Sequence, residues 1–242
     1  LNNLRNELIS RFGYDPGQFG SKADQLDGTR LFGKLDFNLS DATKLTVRHQ
    51  YTKAEQLNVN GSGQRTINFE NNGVFFPSVT NSFATELNTM FGSKASNNLV
   101  IGITTVRDDR DPIGGDFPFL TIFDGNDGTL RIGSEQFSTA NILDQDVITL
   151  TNNYKIFKGK HTFTNGTHNE YSSFRNLFIR QNFGVYEFRS IDAFLAGENA
   201  DEFFRSYSLV DAVTGDESAA AANFNALQLG VCAQDEWLVG DI

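Results

Sequence analysis

The chain has 242 residues, of which 39% are hydrophobic and 21% charged, with a formal net charge of −10. An acidic chain with no basic patch lacks the electrostatic footprint that holds nucleic acid, so no nucleic-acid partner is expected. Its longest apolar runs, such as Leu99-Val100-Ile101 or Ala219 to Ala222, are far shorter than the roughly 18 residues of a membrane-spanning helix. Cys232 is the single cysteine, which excludes an internal disulfide and a cysteine-based metal centre. Twenty-three phenylalanines stand against one tryptophan and one methionine, amid frequent Gly, Asn, Thr and Asp, a mixture that favours strands and turns over helices.

From the N-terminus, "LNNLRNELISRF" predicts a loop helix with Leu1, Leu4, Leu8 and Phe12 on one stripe. "TRLFGKLDFNLSDATKLTVRHQYT" then alternates with a period of two. Leu31, Gly33, Leu35, Phe37 and Leu39 face away from Arg30, Phe32, Lys34, Asp36 and Asn38. After Ser40-Asp41-Ala42-Thr43, Leu45, Val47, His49 and Tyr51 oppose Lys44, Thr46, Arg48 and Gln50, which completes an antiparallel hairpin. A second hairpin runs through "NSFATELNTMFG", a turn near 93–97, and "NLVIGITTVRDD". Phe83, Leu87 and Phe91 share a face in its first strand, and Leu99, Ile101 and Ile103 in its return. A third turns near 157–160, with Ile148, Leu150, Tyr154 and Ile156 on one face and His168 and Glu170 on a polar one. A last strand sets Leu227, Leu229, Val231 and Trp237 opposite Gln228, Gln234 and Glu236. Asn165 falls on the face of His161 and Phe163, where an apolar residue is expected; either the face reverses there or the position is unfavourable.

Short turns alternate with long segments rich in Gly, Asn, Asp and Pro: "NVNGSGQRTINFENNG", "DDRDPIGGDFPFLTIFDGNDG" and "VDAVTGDESAAAAN". One long segment includes a predicted short helix at 190–197, capped by Ser190 and stopped by Gly197. Strands alternating for ten to twelve residues, joined by short turns at one end and long loops at the other, predict an all-β fold. It consists of antiparallel strands of a transmembrane outer-membrane β-barrel, with long extracellular loops containing short helices. Tyr51, Tyr154, Tyr171 and Trp237 then become membrane-interface anchors. About seven long strands is an odd number and below the barrel minimum of about eight, so the chain, 1–242, is expected to be part of one larger barrel domain, cut after a strand. Gly240-Asp241 reads as its next turn.

The ordered set "GYDPG", "GKLDFNLSDATKLTVRHQYTKA", "FPFLTIFDGNDGTLRIGSEQFSTAN", "KGKHTFTNGTHNEYSSFRNLFIRQNFGVYEF" and "QDEW" resembles the barrel region of Oar-like TonB-dependent receptors of Bacteroidota outer membranes. That resemblance covers nearly the whole chain. It implies a barrel of about 22 strands, filled by a plug domain of the same full-length chain and energised by the TonB complex through a TonB box. Neither the plug nor the box lies within these residues. The implied partners are outer-membrane lipid, the plug, the TonB complex and an extracellular substrate.

Candidate chemistry is sparse. His168 and Glu170, two apart on one strand face, could ligate a metal, but polar lumen lining is the stronger reading. Asp124, Asn126 and Glu135 have offsets resembling a calcium loop but lack its fifth-position acid and sixth-position glycine, so a turn and strand are expected. Arg107 to Pro112, "RDDRDP", reads as a solvated loop base, or less readily as part of a substrate or cation site. No nucleophile motif appears, and no catalytic residue or cofactor is assigned. The expected role is the barrel portion of a TonB-dependent transporter taking up a bulky substrate. The alternatives are a soluble secreted β-sandwich for binding or adhesion, and a structural or secretion-associated barrel.

Overall fold

A computed structural model describes residues 1–20, 22–125, 127–210 and 217–240. Asn126 and Asp241, named above, and residues 211–216 of the last long segment lie outside them. Helix α1 (Asn2–Phe12) leads to the hairpin of β1 (Gln25–Ser40) and β2 (Thr43–Asn58). A short β3 (Thr66–Asn68) precedes the second long hairpin, β4 (Val74–Phe91) and β5 (Ala95–Pro112). Then come β6 (Phe119–Asp124), β7 (Gly128–Ile132) and the third long hairpin, β8 (Asn141–Lys158) and β9 (His161–Phe178). β10 (Val185–Phe188), α2 (Ile191–Leu195) and β11 (Glu202–Phe204) precede β12 (Ala222–Trp237).

Among the described residues these strands form two sheets. The first has seven strands in the order β1-β2-β4-β5-β8-β9-β12, every neighbouring pair antiparallel, and it is not closed into a ring. Its register carries one apolar face across all seven. Leu35 lies beside Val47, Leu45 beside Leu87, Phe83 beside Ile103, Ile101 beside Leu150, Ile148 beside Tyr171, and Tyr171 beside Leu227. Local chemistry sets the turns that hold this register. Ser40 Oγ accepts from the Ala42 N–H at 3.2 Å, and Gly159 takes the left-handed φ of 60° that a tight hairpin needs.

Three expectations are corrected here. The long strands run 16 to 18 residues, not ten to twelve. The second turn lies at 92–94, because Ala95 is already paired with Phe91 in β5. Arg107 to Pro112 is no loop base: it lies inside β5, where Arg107 neighbours Val79 and Asp144. A soluble sandwich is also not what forms, since among the described residues no second sheet lies against the apolar face of this one: Leu35, Leu229 and Val231 are 62%, 71% and 90% exposed.

The long segments are not open loops either. They fold together as a cap, a five-stranded sheet in the order β11-β10-β6-β7-β3, with β10–β6 and β3–β7 parallel. Each of the three long segments contributes to it: β3 from the first, β6 and β7 from the second, β10 and β11 from the third. Alternation in "FLTIFD" and "GTLRI" turns Leu120, Ile122, Leu130 and Ile132 to one face. There they meet Leu4 and Leu8 of α1, Phe69, Phe188 and Phe194 in one buried core. The other two residues of the α1 stripe, Leu1 and Phe12, stay exposed. Gly13 ends the helix in a left-handed conformation, its N–H on the Ile9 carbonyl at 3.0 Å. α2 is capped as its sequence predicts, Ser190 accepting from the Ala193 N–H.

The segment "GYDPG" ties α1 to the cap. Arg5 forks onto Asp15 with contacts of 2.7 and 2.6 Å, and Asp15 also accepts from the Gly17 N–H at 3.0 Å. Gly17 has φ +82, and a Cβ there would stand 2.8 Å from Glu70 Cβ, so glycine is required on both counts. Lys22 pairs with Glu70 across the same junction.

Leu8→Ala should cost the cap about 2–5 kcal/mol, the range for emptying a fully buried leucine site. Limited proteolysis should then cut the cap while the long-strand sheet keeps its resistance. The Arg5 side chain and the Gly17 N–H hold the Asp15 carboxyl below its ordinary value, and Lys22 with the Gln18 N–H does the same for Glu70. Carboxylates that titrate lower when folded stabilise above the ordinary range of about pH 4 and cease to do so as pH falls through their folded values. Hydrogen-exchange protection of α1 should therefore be full at pH 7 and fall below about pH 4, ahead of protection in the long strands β2, β4, β5 and β8; equal loss in both would count against the junction.

Candidate functional site

The seven-stranded sheet has two chemically distinct faces, and function is to be sought in both. On the apolar face, a belt of Leu, Ile, Phe and Val spans Ile148 to Ile156 in β8, Phe83 to Phe91 in β4 and Leu227 to Trp237 in β12. These spans match the roughly 9–11 residues that carry a tilted strand across a bilayer. Toward the cap, charge ends the belt. Arg107 meets Asp146 at 2.6 Å and Asp144 at 3.8 Å, and Arg175 meets Asp144 at 3.3 Å, a ladder over three strands. The strands therefore continue well past the belt on that side.

Tyr51 and Tyr171 sit at the cap-side border of the belt, not at strand ends, because the strands outrun it. Tyr154 sits at the short-turn border against Phe91, with ring centroids 6.1 Å apart. Trp237 lies at the same border, stacked on His161 at 5.6 Å; His161 stacks in turn on Phe163 and bonds Asp235 at 2.9 Å. Tyr51, Tyr154 and Trp237 are rings with an apolar body beside polar neighbours, and Tyr171, between Ile148 and Leu227, carries a hydroxyl at the edge of the belt, which suits a membrane–water boundary.

The face does not reverse at Asn165, which neighbours Tyr154 and Ala233 on the apolar side. It belongs to a local polar patch. Asn152 donates to Asn97 Oδ1 at 3.0 Å, Asn169 to Thr167 Oγ1 at 2.8 Å, and Thr167 to the Gly230 carbonyl at 2.8 Å. Mutual hydrogen bonding satisfies part of that patch, which lowers the cost of turning it outward.

The opposite face is mostly polar in its middle, with Phe32, Val100 and Val147 as apolar exceptions. Asp36 pairs with Lys34 at 3.1 Å and Lys44 at 3.3 Å and accepts from Thr46. Glu86 accepts from Asn88 and from Asn98, each at 2.8 Å, and Ser82 bonds Thr104 at 3.0 Å. His168 and Glu170 lie on this face. The His168 Nδ1 is 2.7 Å from Thr151 Oγ1, and Glu170 accepts from Ser172 at 2.9 Å, so each engages a hydroxyl. Among the described residues, no three or more His, Cys, Asp or Glu side chains gather as a metal site. Asp124 and Glu135 belong to the β6–β7 hairpin and the turn after it, where Glu135 accepts from the Phe137 N–H. The Glu86 network and the Arg107 ladder escaped sequence reasoning. Their signal was present in the register, which brings residues from strands distant in sequence side by side.

With this geometry the comparisons agree. The chain matches the outer membrane beta barrel domain over residues 14–241, and it belongs to that family. Its fold is similar to that of the outer membrane transporter YddB from Escherichia coli, with a TM-score of 0.53 and 11% identity. That match covers 88% of this chain and 26% of the transporter, so the chain spans about a quarter of that protein's length. No curated protein matches. The chain is thus an outer-membrane protein built as antiparallel β-barrel wall, an architecture in which an apolar belt meets lipid and a polar face lines the lumen.

Leu35→Arg places a charge in the belt and should destabilise the barrel by roughly 2–4 kcal/mol. Asp36→Asn, one residue away on the lumen face, should cost far less. Urea unfolding of the complete barrel in lipid tests this, and equal losses for the two variants would contradict the assignment of faces.

Proposed function

We propose that the chain is wall and outer cap of a TonB-dependent outer-membrane transporter of the Oar-like kind, which takes up a bulky substrate through a plugged barrel. The observation that carries this reading is the open seven-stranded wall with its largely polar inner face. Single-chain bacterial barrels close with an even number of strands from about eight upward, and those near 22 hold a plug. A lumen wall of amides, hydroxyls and paired charges is suited to hydrogen bonding with a polar plug surface, whereas a small barrel would fill its interior with its own side chains. Similarity to an outer membrane transporter supports the same direction.

In this reading the short turns at 41–42, 92–94 and 159–160 are periplasmic, and the cap stands outside the cell. Tyr51 and Tyr171 anchor the outer interface, and Tyr154 and Trp237 the inner one. His168 and Glu170 line the lumen.

Two measurements on the full-length protein test the proposal. A cysteine replacing Gly61 should react with an impermeant maleimide on intact cells, and one replacing Asp41 only after permeabilisation; the reverse pattern would invert the topology. A photo-crosslinker in the periplasmic domain of TonB should capture the full-length protein in energised cells. Absence of that adduct, with the protein correctly inserted, would remove TonB dependence and favour a structural or secretion-associated barrel.

A further inference from the structure

The cap sheet has a second face, turned away from α1 and α2, and it is hollow. One cavity of about 490 Å³ lies over β6, β7, β10 and β11, and a second of about 270 Å³ adjoins it, the two sharing Phe119, Arg131 and Gln136. Alternation along the strands puts Arg131 here, out of the core that receives Leu130 and Ile132. Arg180 lines the first cavity as well. Both guanidinium groups are exposed, and neither pairs with a carboxylate among the described residues, although Glu187 lines the same cavity and the chain is strongly acidic.

Two further features mark this groove as built. Asn68 is 6% exposed and lines the second cavity. Its Nδ2 donates to the Gly61 carbonyl at 2.7 Å, while its Oδ1 is buried with no hydrogen-bond partner, an acceptor that lacks a donor. Gln181 is held at φ 58, a conformation that a non-glycine residue rarely takes, and its Nε2 donates to Gln136 Oε1 at 2.9 Å on the groove wall. Phe123, Phe137 and Phe204 present half-exposed rings on the same surface.

We infer that this groove binds a short carboxylate-bearing oligosaccharide, such as a run of uronic acid units. The two free guanidinium groups fit carboxylates as planar forks. The amides of Gln136 and Gln181 and the orphaned Asn68 carbonyl fit sugar hydroxyls, and the phenyl rings cover the apolar faces of sugar rings. An acidic peptide fits less well. It would pair its backbone along a sheet edge, whereas this groove lies on a sheet face and the edge strands β3 and β11 have three residues each. The inference takes the cap to be extracellular, as proposed above, but binding itself needs no energy coupling.

The test uses the complete receptor in detergent, with trigalacturonate as probe and calorimetry as readout. Trigalacturonate should bind, and its fully methyl-esterified form, uncharged and nearly the same shape, should bind at least about tenfold more weakly. The double variant R131Q/R180Q should lose a similar factor for the acid and little for the ester, with its heat-modifiable barrel intact. No binding of trigalacturonate, equal binding of acid and ester, or equal or tighter binding of a triglutamate peptide would overturn the inference. Binding that persists in a receptor showing no TonB adduct would leave the groove assignment standing and count against the transport reading alone.

Discussion

In hydrocarbon no water is available to satisfy a backbone N–H or C=O, so a strand that crosses the membrane must pair along its whole length. That constraint shapes everything else in this chain. It accounts for the unbroken ladders between long strands, for turns kept short at one end, and for an exact alternation of side chains once the register is set. A slip of one residue would turn Leu35, Leu45, Leu87, Ile101 and Leu150 into the lumen and bring Lys34, Arg48 and Glu86 to lipid. The register is thus enforced by many residues at once, which is why a local polar patch such as that around Asn165 is tolerated.

The same ladders explain the cap. Strands that outrun the belt carry the chain past the membrane in paired form, and the Arg107–Asp144–Arg175 ladder marks where lipid contact ends. The three long segments therefore leave from neighbouring, rigidly spaced strand ends. Segments launched side by side lose less entropy on meeting than free loops of the same length would. A modest apolar core of Leu4, Leu8, Phe69, Ile122, Ile132 and Phe194 then suffices to join them, and its parallel strand pairs come from different segments.

This division also sets what could be read in advance. The long hairpins were legible because a period of two, repeated beside polar turns, is a local signal; seven strands and their faces follow from it. Strand length was underestimated because alternation changes meaning beyond the belt. There Arg107, Asp144 and Arg175 stand on the lipid-side face but above the lipid, so hydropathy no longer distinguishes the two sides. The cap was invisible for a different reason. Thr66–Asn68, Phe119–Asp124 and Val185–Phe188 are short and rich in turn neighbours, and the pairings that join them into one sheet, β3 with β7 and β6 with β10, link segments far apart in the chain. Helix α1 could be placed, but nothing local said that Leu4 and Leu8 would pack on strands from another long segment. The lumen candidates His168 and Glu170 were placed on the right face by spacing alone, whereas the Glu86–Asn88–Asn98 cluster needed the cross-strand register.

Joining the long segments into one sheet has a mechanical consequence. Three independent loops could each fold over the barrel mouth or withdraw on their own. Here β6 is hydrogen-bonded to both β7 and β10, and β7 to β3, while Leu4 and Leu8 of α1 join one core with residues of the second and third segments. Moving any one segment alone would break backbone ladders and expose part of a shared core, so displacement as a body costs less than displacement by parts. The links that such a body could turn on are the connections between long strands and cap, such as 113–118 and 179–184, where Gly114, Gly115 and Gly184 take positive φ. Rigid sheet and glycine-bearing connections are the usual division of labour in a hinge. The part of the groove built on β6, β7, β10 and β11 would then keep its shape, while Arg180 and Gln181, which lie in one of these connections, would shift against it as the cap turned, so that recognition of a ligand and access to the barrel are coupled through that link.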